Sequence, residues 1–371
     1  MSQIGVAGAA RGAGRASRPV EIRDLTLAAP GPAELRIRVR AAGICHSDLS
    51  VVNGSRPRPV PMVLGHEAAG EVLEVGSEPS DFQVGDRVVL AFVPSCGQCG
   101  PCLAGRPALC EPGAAANAAG TLLSGERRWT DRDGSQPHHH LGVSAFAQET
   151  VVSEHSAVKI PDKLPFEVAA VFGCAALTGA GAAINAAQVQ PGESVAIFGL
   201  GGVGLAALLG AKLAGAGQIV AIDPVDSKRA LAESLGAHAT LSGRGDTVGE
   251  LKSLTAGGPA KVIETAGSAR VLETAYLATG RGGTTVTVGL PDPSEVLKFP
   301  AVSLVTEERT LKGSYLGSAN PREMLPRLFD DWSQGNFPLE RLISHRLTLD
   351  EINEGFDRLA AGTAVRQIIV P

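Results

Sequence analysis

The chain has 371 residues, 44% of them hydrophobic, and a formal net charge of −5. A single core rarely fills more than about 250–300 residues, so two domains are expected. The mild acidity excludes the dense basic face that nucleic acid requires. Only 8 of the 33 basic residues are Lys, a bias that together with 46 Gly reads as genome base composition rather than function. No apolar run reaches the roughly 18 residues of a bilayer span, so no membrane association is expected.

The N-terminal stretch carries Arg11, Arg15 and Arg18 without an acidic residue and could imitate a transit peptide. It lacks the apolar core of a signal peptide, and a first strand followed by a loop is the expected structure. Short strand-like runs come next at Leu35–Val39, Ala69–Val75 and Asp86–Leu90. Pro30-Gly31-Pro32 and Val84-Gly85-Asp86 punctuate them, which predicts an antiparallel, partly barrel-like β domain. Residues 111–142 are polar, Gly-rich and irregular, and predict a long surface loop.

From about residue 165 the rhythm changes. Phe166–Ala187 is Ala-rich and helical. Ser194–Phe198 is a buried strand, Val203–Ala214 a helix, Ile219–Ile222 a strand, and Ser227–Leu235 a helix ending at Gly236. Lys261–Glu264 and Thr284–Val288 add strands. Apolar strands alternating with helices predict a parallel, doubly wound sheet. After Tyr315 the chain returns to mixed elements, a helix over Asp350–Ala361 and a strand over Gln367–Val370.

Cys96, Cys99, Cys102 and Cys110 form C-x2-C-x2-C-x7-C, with Gly97, Gly100, Pro101 and Gly105 between them. Four thiolates in one short lobe can close a tetrahedral shell around Zn²⁺ and leave no open position, which predicts a structural site. Free core cysteines do not suit a polar Gly/Pro-rich loop, and an iron–sulfur cluster is the competing metal.

Gly199-Leu200-Gly201-Gly202-Val203-Gly204 is a G-x-G-x-x-G between a strand and a helix, with Asp223 ending the next strand. The glycines would let backbone approach a pyrophosphate seated on the helix N-terminus. Asp223 would accept from the ribose hydroxyls and repel a 2′-phosphate. Pro224 follows it, with no Arg beside it, so NAD is favoured over NADP.

Cys45, His66 and Cys174 remain. Two Cys and one His would leave a fourth position open for water or substrate, as a catalytic zinc requires. They are scattered in sequence, so spacing alone leaves open small buried thiols and an ordinary buried imidazole.

Several motifs together resemble the zinc-containing medium-chain alcohol dehydrogenases, in order from about Pro19 to Arg366. They are Gly43-Ile44-Cys45-His46-Ser47-Asp48, Gly65-His66-Glu67, the four-Cys lobe, Gly173-Cys174 with Thr178-Gly179, and the glycine fingerprint with Asp223. His139-His140-Leu141-Gly142 and Ser144-Ala145-Phe146 are similar to the long-loop, liver-type and class III-like branch. The resemblance implies an α/β chain. A GroES-like β-rich catalytic domain would span 1–176 and 317–371, with a structural zinc lobe at 95–111. A Rossmann NAD-binding domain would span 177–316. It also implies two zinc ions per subunit and reversible hydride transfer between an alcohol and NAD.

The resemblance implies that Cys45, His66 and Cys174 hold the catalytic zinc. It makes Glu67 a nearby or transient ligand, Asp48 the residue orienting His66, and Ser47 the start of a proton relay. His46 would face the pyrophosphate, Thr178 and Val203 would back the nicotinamide, Lys228 would lie along the adenosine ribose, and Arg366 would neutralise pyrophosphate charge. Gly199, Gly201, Gly202 and Gly204 would cradle the cofactor. Phe92, His140 and Leu141 match substrate-pocket positions, with Val51, Val52 and Val60 adding apolar character. His138 and His139 are expected in a solvated or pocket-lining loop.

Many relatives end the relay at a His three residues after Ser47, where this chain has Ser50. The alternatives are a thiol-adduct formaldehyde dehydrogenase, disfavoured because Gly113–Asn117 holds no base, and a non-catalytic zinc-binding regulator. Relatives imply a homodimer through the Thr284–Leu290 edge of the cofactor sheet, with a homotetramer as the other form. With all six cysteines assigned to zinc, a reducing cytoplasm is the expected compartment.

Overall fold

The computed structural model describes residues 2–7, 19–78 and 80–371. Arg11, Arg15, Arg18 and the loop expected around them lie outside these residues; the strand expected before them is Ser2–Ala7. The chain divides into two units. One comprises Met1–Cys174, Asn320–Asp330 and Leu339–Pro371, and the other Ala175–Ala319 and Asp331–Pro338.

In the first unit, Glu34–Ile44 is the spine. Its middle alternates between buried and more exposed residues, as a half-buried strand must, and it becomes continuously buried at Ala41–Ile44. It pairs antiparallel with Glu67–Val75, Glu149–Ser153 and Arg366–Ile369. Arg87–Leu90, Ala157–Lys159 and Ile343–Leu347 complete a seven-stranded sheet among the described residues. A smaller sheet runs in the order Trp129–Thr130, Val20–Leu27, Ser2–Ala7, Met62–Val63, His138–His139. Ile4, Leu25, Val63, Trp129 and Ala147 form a core cluster against it.

Residues 111–142 are not the irregular loop that their composition predicts. Glu111–Ala119 is a helix. Cys110 Sγ accepts from Gly113 N at its start, a Pro stands in its first turn, and Gly120 closes it at φ 69°. Trp129–Thr130 and His138–His139 are short strands.

In the second unit, six parallel strands run in the order Ala239–Leu241, Gln218–Ile222, Ser194–Phe198, Lys261–Glu264, Thr284–Thr287, Thr310–Gly313. Strands buried on both faces read as continuous apolar runs, as Val195–Phe198 does. Ala196, Phe198, Val220, Ile222, Leu251 and Val262 form the core. Among the described residues the sheet's edges are therefore Ala239–Leu241 and Thr310–Gly313. The expected edge at Thr284–Leu290 is one strand too far inside, because the short polar run Thr310–Gly313 carries little strand signal.

Phe166–Ala186 is apolar and long enough to cross a membrane by length and composition, which corrects the expectation that no such run exists; 89% of its most apolar 18 residues are buried inside the molecule. Burial of that extent is what a core helix shows.

Candidate metal and cofactor sites

Register brings the first two metal-ligand candidates together. Gly43 pairs with Glu67 across the antiparallel ladder, so Cys45, just past the end of one strand, and His66, just before the start of the other, meet at the same end of the sheet. Cys45 caps the helix His46–Val52. Asp48, three residues on, accepts the Cys45 N–H through Oδ2 at 3.1 Å. Cys174 arrives on the turn Phe172–Ala176. Its neighbour Gly173 lies so close to strand Arg87–Leu90 that a Cβ would sit 2.3 Å from Leu90 O.

The Sγ atoms of Cys45 and Cys174 and a ring nitrogen of His66 lie within 4.8 Å of one another. His66 is 1% exposed and its Nε2 has no hydrogen-bond partner. An orphaned buried nitrogen between two thiols fits a metal ligand, and two soft sulfurs plus imidazole suit Zn²⁺.

The other His66 nitrogen, Nδ1, lies 3.1 Å from Asp48 Oδ1, which also accepts the Gly65 N–H at 3.1 Å. Burial would lower the pKa of His66, but the charge and hydrogen bond of Asp48, with help from Cys45, outweigh it and raise that pKa well above the ordinary value. Burial opposes ionisation of Asp48 as well. His66 and His140 overcome it and hold the carboxyl below its usual range. A hydrogen bond with Cys174 lowers the Cys45 pKa against the cost of burial, and the Cys174 pKa rises in turn. One sulfur is thus prepared as a thiolate, and a cation would be needed to ionise both.

Glu67 and Arg366 are buried against each other, with Oε2 3.2 Å from Nη1. Burial raises the Glu67 pKa to about 7 despite that partner. Arg366 also donates to Ile44 O at 3.1 Å. Its guanidinium is therefore held against Glu67 and the end of strand Glu34–Ile44.

Ser47 is half-buried beside Asp48, and His46 is exposed on the same turn. Ser50 Oγ donates to His46 O at 2.8 Å. The Phe92 ring meets His66 edge-on at 5.5 Å, and Leu141 is buried at φ 52°. His139 is not solvated: it is fully buried and its Nε2 accepts from Arg128 N at 3.2 Å. Burial, with the charge of Arg128, pushes its pKa down to about 3.

Cys96, Cys99, Cys102 and Cys110 bring four sulfurs within 4.8 Å. Backbone N–H groups of Cys99 and Gln98 point at Cys96 Sγ, and those of Cys96 and Gly113 at Cys110 Sγ. Such donors stabilise thiolates. The Gln98 N–H leads in lowering Cys96 to about 7, whereas burial pushes Cys102 up to about 12. Four such sulfurs ionise together only around a cation. None of the six cysteines forms a disulfide.

In the second unit, Gly201 caps the helix Gly202–Leu213. A Cβ on Gly204 would collide with Gly199 O at 1.8 Å, whereas one on Gly201 would meet nothing within 4 Å. The loop is therefore closed on its inner side and open where a phosphate would sit. Asp223 Oδ2 accepts from Leu200 N at 2.8 Å and Oδ1 from Val225 N at 2.9 Å, which ties it to the glycine loop. Lys228 is half-buried on the following helix. Thr178 is buried with Oγ1 unpartnered, and its neighbour Gly179 packs directly on Val203 O.

Sequence adjacency missed three residues. Arg229 Nη1 donates to Asp223 O at 2.6 Å, so an Arg does stand beside Asp223, six residues further on and in the first turn of the helix Asp226–Leu235. Arg58 Nη1 donates to Asn117 O at 3.1 Å and brings a base to the Gly113–Asn117 stretch that has none of its own. Thr265 Oγ1 donates to Gly199 O at 2.9 Å and braces the glycine loop. Its position just after a predicted strand, at the carboxyl edge where such sheets bind ligands, was the available signal.

Family comparisons agree with this geometry. The alcohol dehydrogenase GroES-like domain matches residues 31–162, and the zinc-binding dehydrogenase family matches residues 202–331. The provisionally named alcohol dehydrogenase D of Mycobacterium tuberculosis (strain CDC 1551 / Oshkosh) is 36% identical over 96% of this chain and 97% of its own length. The crystal structure of benzyl alcohol dehydrogenase from Acinetobacter calcoaceticus superposes with a TM-score of 0.90 at 33% identity, covering 100% of this chain and 99% of that one. A provisionally assigned zinc-binding dehydrogenase from Sinorhizobium meliloti, bound to NADP, gives 0.82 at 28%, covering 100% of this chain and 99% of that one. The chain is an oxidoreductase of the zinc-containing medium-chain alcohol dehydrogenase family.

Proposed function

We propose that this protein is an NAD-dependent zinc alcohol dehydrogenase of the long-loop branch that oxidises primary or secondary alcohols, aromatic and allylic ones included, to aldehydes or ketones. One observation carries the reading: Cys45 Sγ, an unpartnered His66 nitrogen and Cys174 Sγ converge within 4.8 Å. Zinc held there by these three residues supplies a Lewis acid that lowers the pKa of an alcohol hydroxyl. A nicotinamide cofactor held at the glycine loop by Gly201, Gly202 and Asp223 would supply the hydride acceptor.

The chain's own residues do the rest. Asp48 fixes the His66 tautomer by accepting at Nδ1, which leaves Nε2 free for metal. Glu67 stays close with a raised pKa, balanced by Arg366. Ser47 Oγ would relay the substrate proton, accepting it while passing its own hydroxyl proton onward. Ser50 Oγ is occupied with His46 O and carries no titratable group, so the proton leaves to solvent. Phe92, Leu141 and His140 line an alcohol pocket; the benzyl alcohol dehydrogenase relative supports an aromatic substrate. Asp223 selects NAD by repelling a 2′-phosphate. The Sinorhizobium relative carries NADP, and Arg229 beside Asp223 makes the cofactor ratio the quantity to measure.

The protein assembles as a homodimer through the edge strand Thr310–Gly313. Val302 and Val305, 65% and 79% exposed, add apolar surface to the same unit. A tetramer is the other outcome of sizing.

The test is zinc analysis with an NADH absorbance assay over a panel of alcohols. Two zinc ions per chain and turnover are expected. Cys45→Ala and Cys174→Ala should each lose one zinc and all turnover while still binding NADH; normal activity in either variant overturns the assignment. One zinc and no turnover in the parent protein would favour the regulator. A second reading, the thiol-adduct formaldehyde dehydrogenase, gains from Arg58, whose guanidinium could take a carboxylate of the thiol. Formaldehyde oxidation that requires added thiol would establish it.

A further inference from the structure

His140 is 2% exposed, and its imidazole lies edge-on to that of His66, ring centroids 5.3 Å apart at 87°. Its Nδ1 lies 3.0 Å from Asp48 Oδ1, a close polar contact whose angle makes no hydrogen bond, and Nδ1 has no other partner. That oxygen also serves His66 Nδ1 and Gly65 N, while Oδ2 takes Cys45 N. A single buried carboxylate thus touches the backbone of one metal-ligand candidate, the side chain of a second, and His140.

We infer that His140 is a positioning residue for the reactive metal, acting through Asp48 on His66; this rests on the zinc reading above. The argument is geometric. Asp48 is wholly buried and can direct His66 only if its carboxylate plane is fixed. Cys45 N and Gly65 N hold it from the chain on either side, and both are local to the ligands themselves. His140 comes from a different segment, anchored by its own N–H, which donates to Ser144 Oγ at 2.8 Å. Its ring packs edge-on with that of His66 and brings Nδ1 against Asp48 Oδ1. A carbon ring of the same size would fill that space but bring no ring nitrogen to Asp48.

His140→Phe and His140→Asn separate the two contributions. Phe keeps the bulk and removes the nitrogen; Asn Nδ2 stands close to where His Nδ1 stood. The measurement is zinc release to a chromogenic chelator from the purified, fully loaded protein, with the four-cysteine site as internal reference. Partners of metal-ligating histidines change metal affinity by about 10–100-fold. Acting one bond further out, His140 is placed at the lower end. One of the two zinc ions should leave His140→Phe about 10-fold faster than wild type, while the second leaves at the wild-type rate. His140→Asn should restore most of the difference.

Equal release from Phe and wild type, or equal release from Asn and Phe, overturns the proposal. Faster release of both zinc ions would mean general loosening and overturns it as well. If His140→Phe fails to fold, His140→Ala, which adds no bulk, takes its place against His140→Asn with the same criteria. A parent protein that carries only the four-cysteine zinc would instead refute the underlying reading, which keeps the two failures distinct.

Discussion

Replacing His139 with Gln tests whether a buried imidazole sets the acid limit of this fold. His139 is fully buried, and its Nε2 accepts the Arg128 N–H at 3.2 Å. Its pKa in the fold is about 3 against an ordinary 6.5, because burial and the nearby Arg128 both disfavour the charged ring. Between those values the unfolded chain binds a proton that the folded chain refuses. The contribution of His139 is therefore fully present above about pH 6.5 and is lost as pH falls towards 3. Each unit is worth ~1.4 kcal/mol per proton, so a fall from about pH 6.5 to 4.5 removes about 2.5 kcal/mol. Gln offers Oε1 to Arg128 N in nearly the same place and does not titrate. Urea unfolding of wild type and His139→Gln, at matched free zinc across that range, should give stabilities that diverge in the variant's favour as pH falls. Carboxylates and metal ligands titrate alike in both proteins and cancel in the difference. Parallel curves would show that His139 protonates without cost and that its burial is not what the structure describes.

Three other outcomes follow from the same geometry. Asp48→Asn keeps the shape but removes the charge that orients His66, and zinc affinity at that site should fall about 10–100-fold, read as zinc content after dialysis against a buffered chelator; full retention would count against Asp48 as the orienting residue. Asp223→Gly should raise NADP use relative to NAD at least about tenfold in kcat/KM, a change of ~1.4 kcal/mol, with Arg229 left to meet the added phosphate. An unchanged ratio would mean that Asp223 does not read the ribose. Val305→Asp places a charge on an exposed apolar position near the edge strand and should shift the sedimentation coefficient from dimer towards monomer without changing zinc content; an unchanged coefficient would move the interface elsewhere.

What the sequence made legible follows how local each constraint is. The glycine fingerprint could be read because Gly199 and Gly204 answer to each other within six residues, where any larger side chain collides. The four-cysteine lobe could be read because its ligands share one short segment. Cys45, His66 and Cys174 could not be joined by spacing, since their meeting depends on the pairing of Gly43 with Glu67 and on the packing of Gly173 against Leu90, both of them long-range. Only the resemblance supplied that trio. The helix Glu111–Ala119 was hidden by judging its segment on composition. The signals that mark it, a capping Cys110, an early Pro and a closing Gly120, are all visible in the sequence.

Arg58 and Arg229 were missed for a different reason: neighbours along the chain stood in for neighbours in space. Arg229 stands in the first turn of the helix Asp226–Leu235 and reaches back to Asp223, which precedes that helix, so no helical spacing links the two. Arg58 reaches Asn117 from 59 residues away, which no local pattern predicts. His140 belongs with Arg58. Its position is readable as a pocket residue, but its approach to Asp48 exists only once the strand His138–His139 is laid beside Met62–Val63. Pairing of those two short strands carries His140 towards Gly65 and His66. The chemistry of the reactive site is thus written in residue types, while the order in which its outer residues act is decided by strand register.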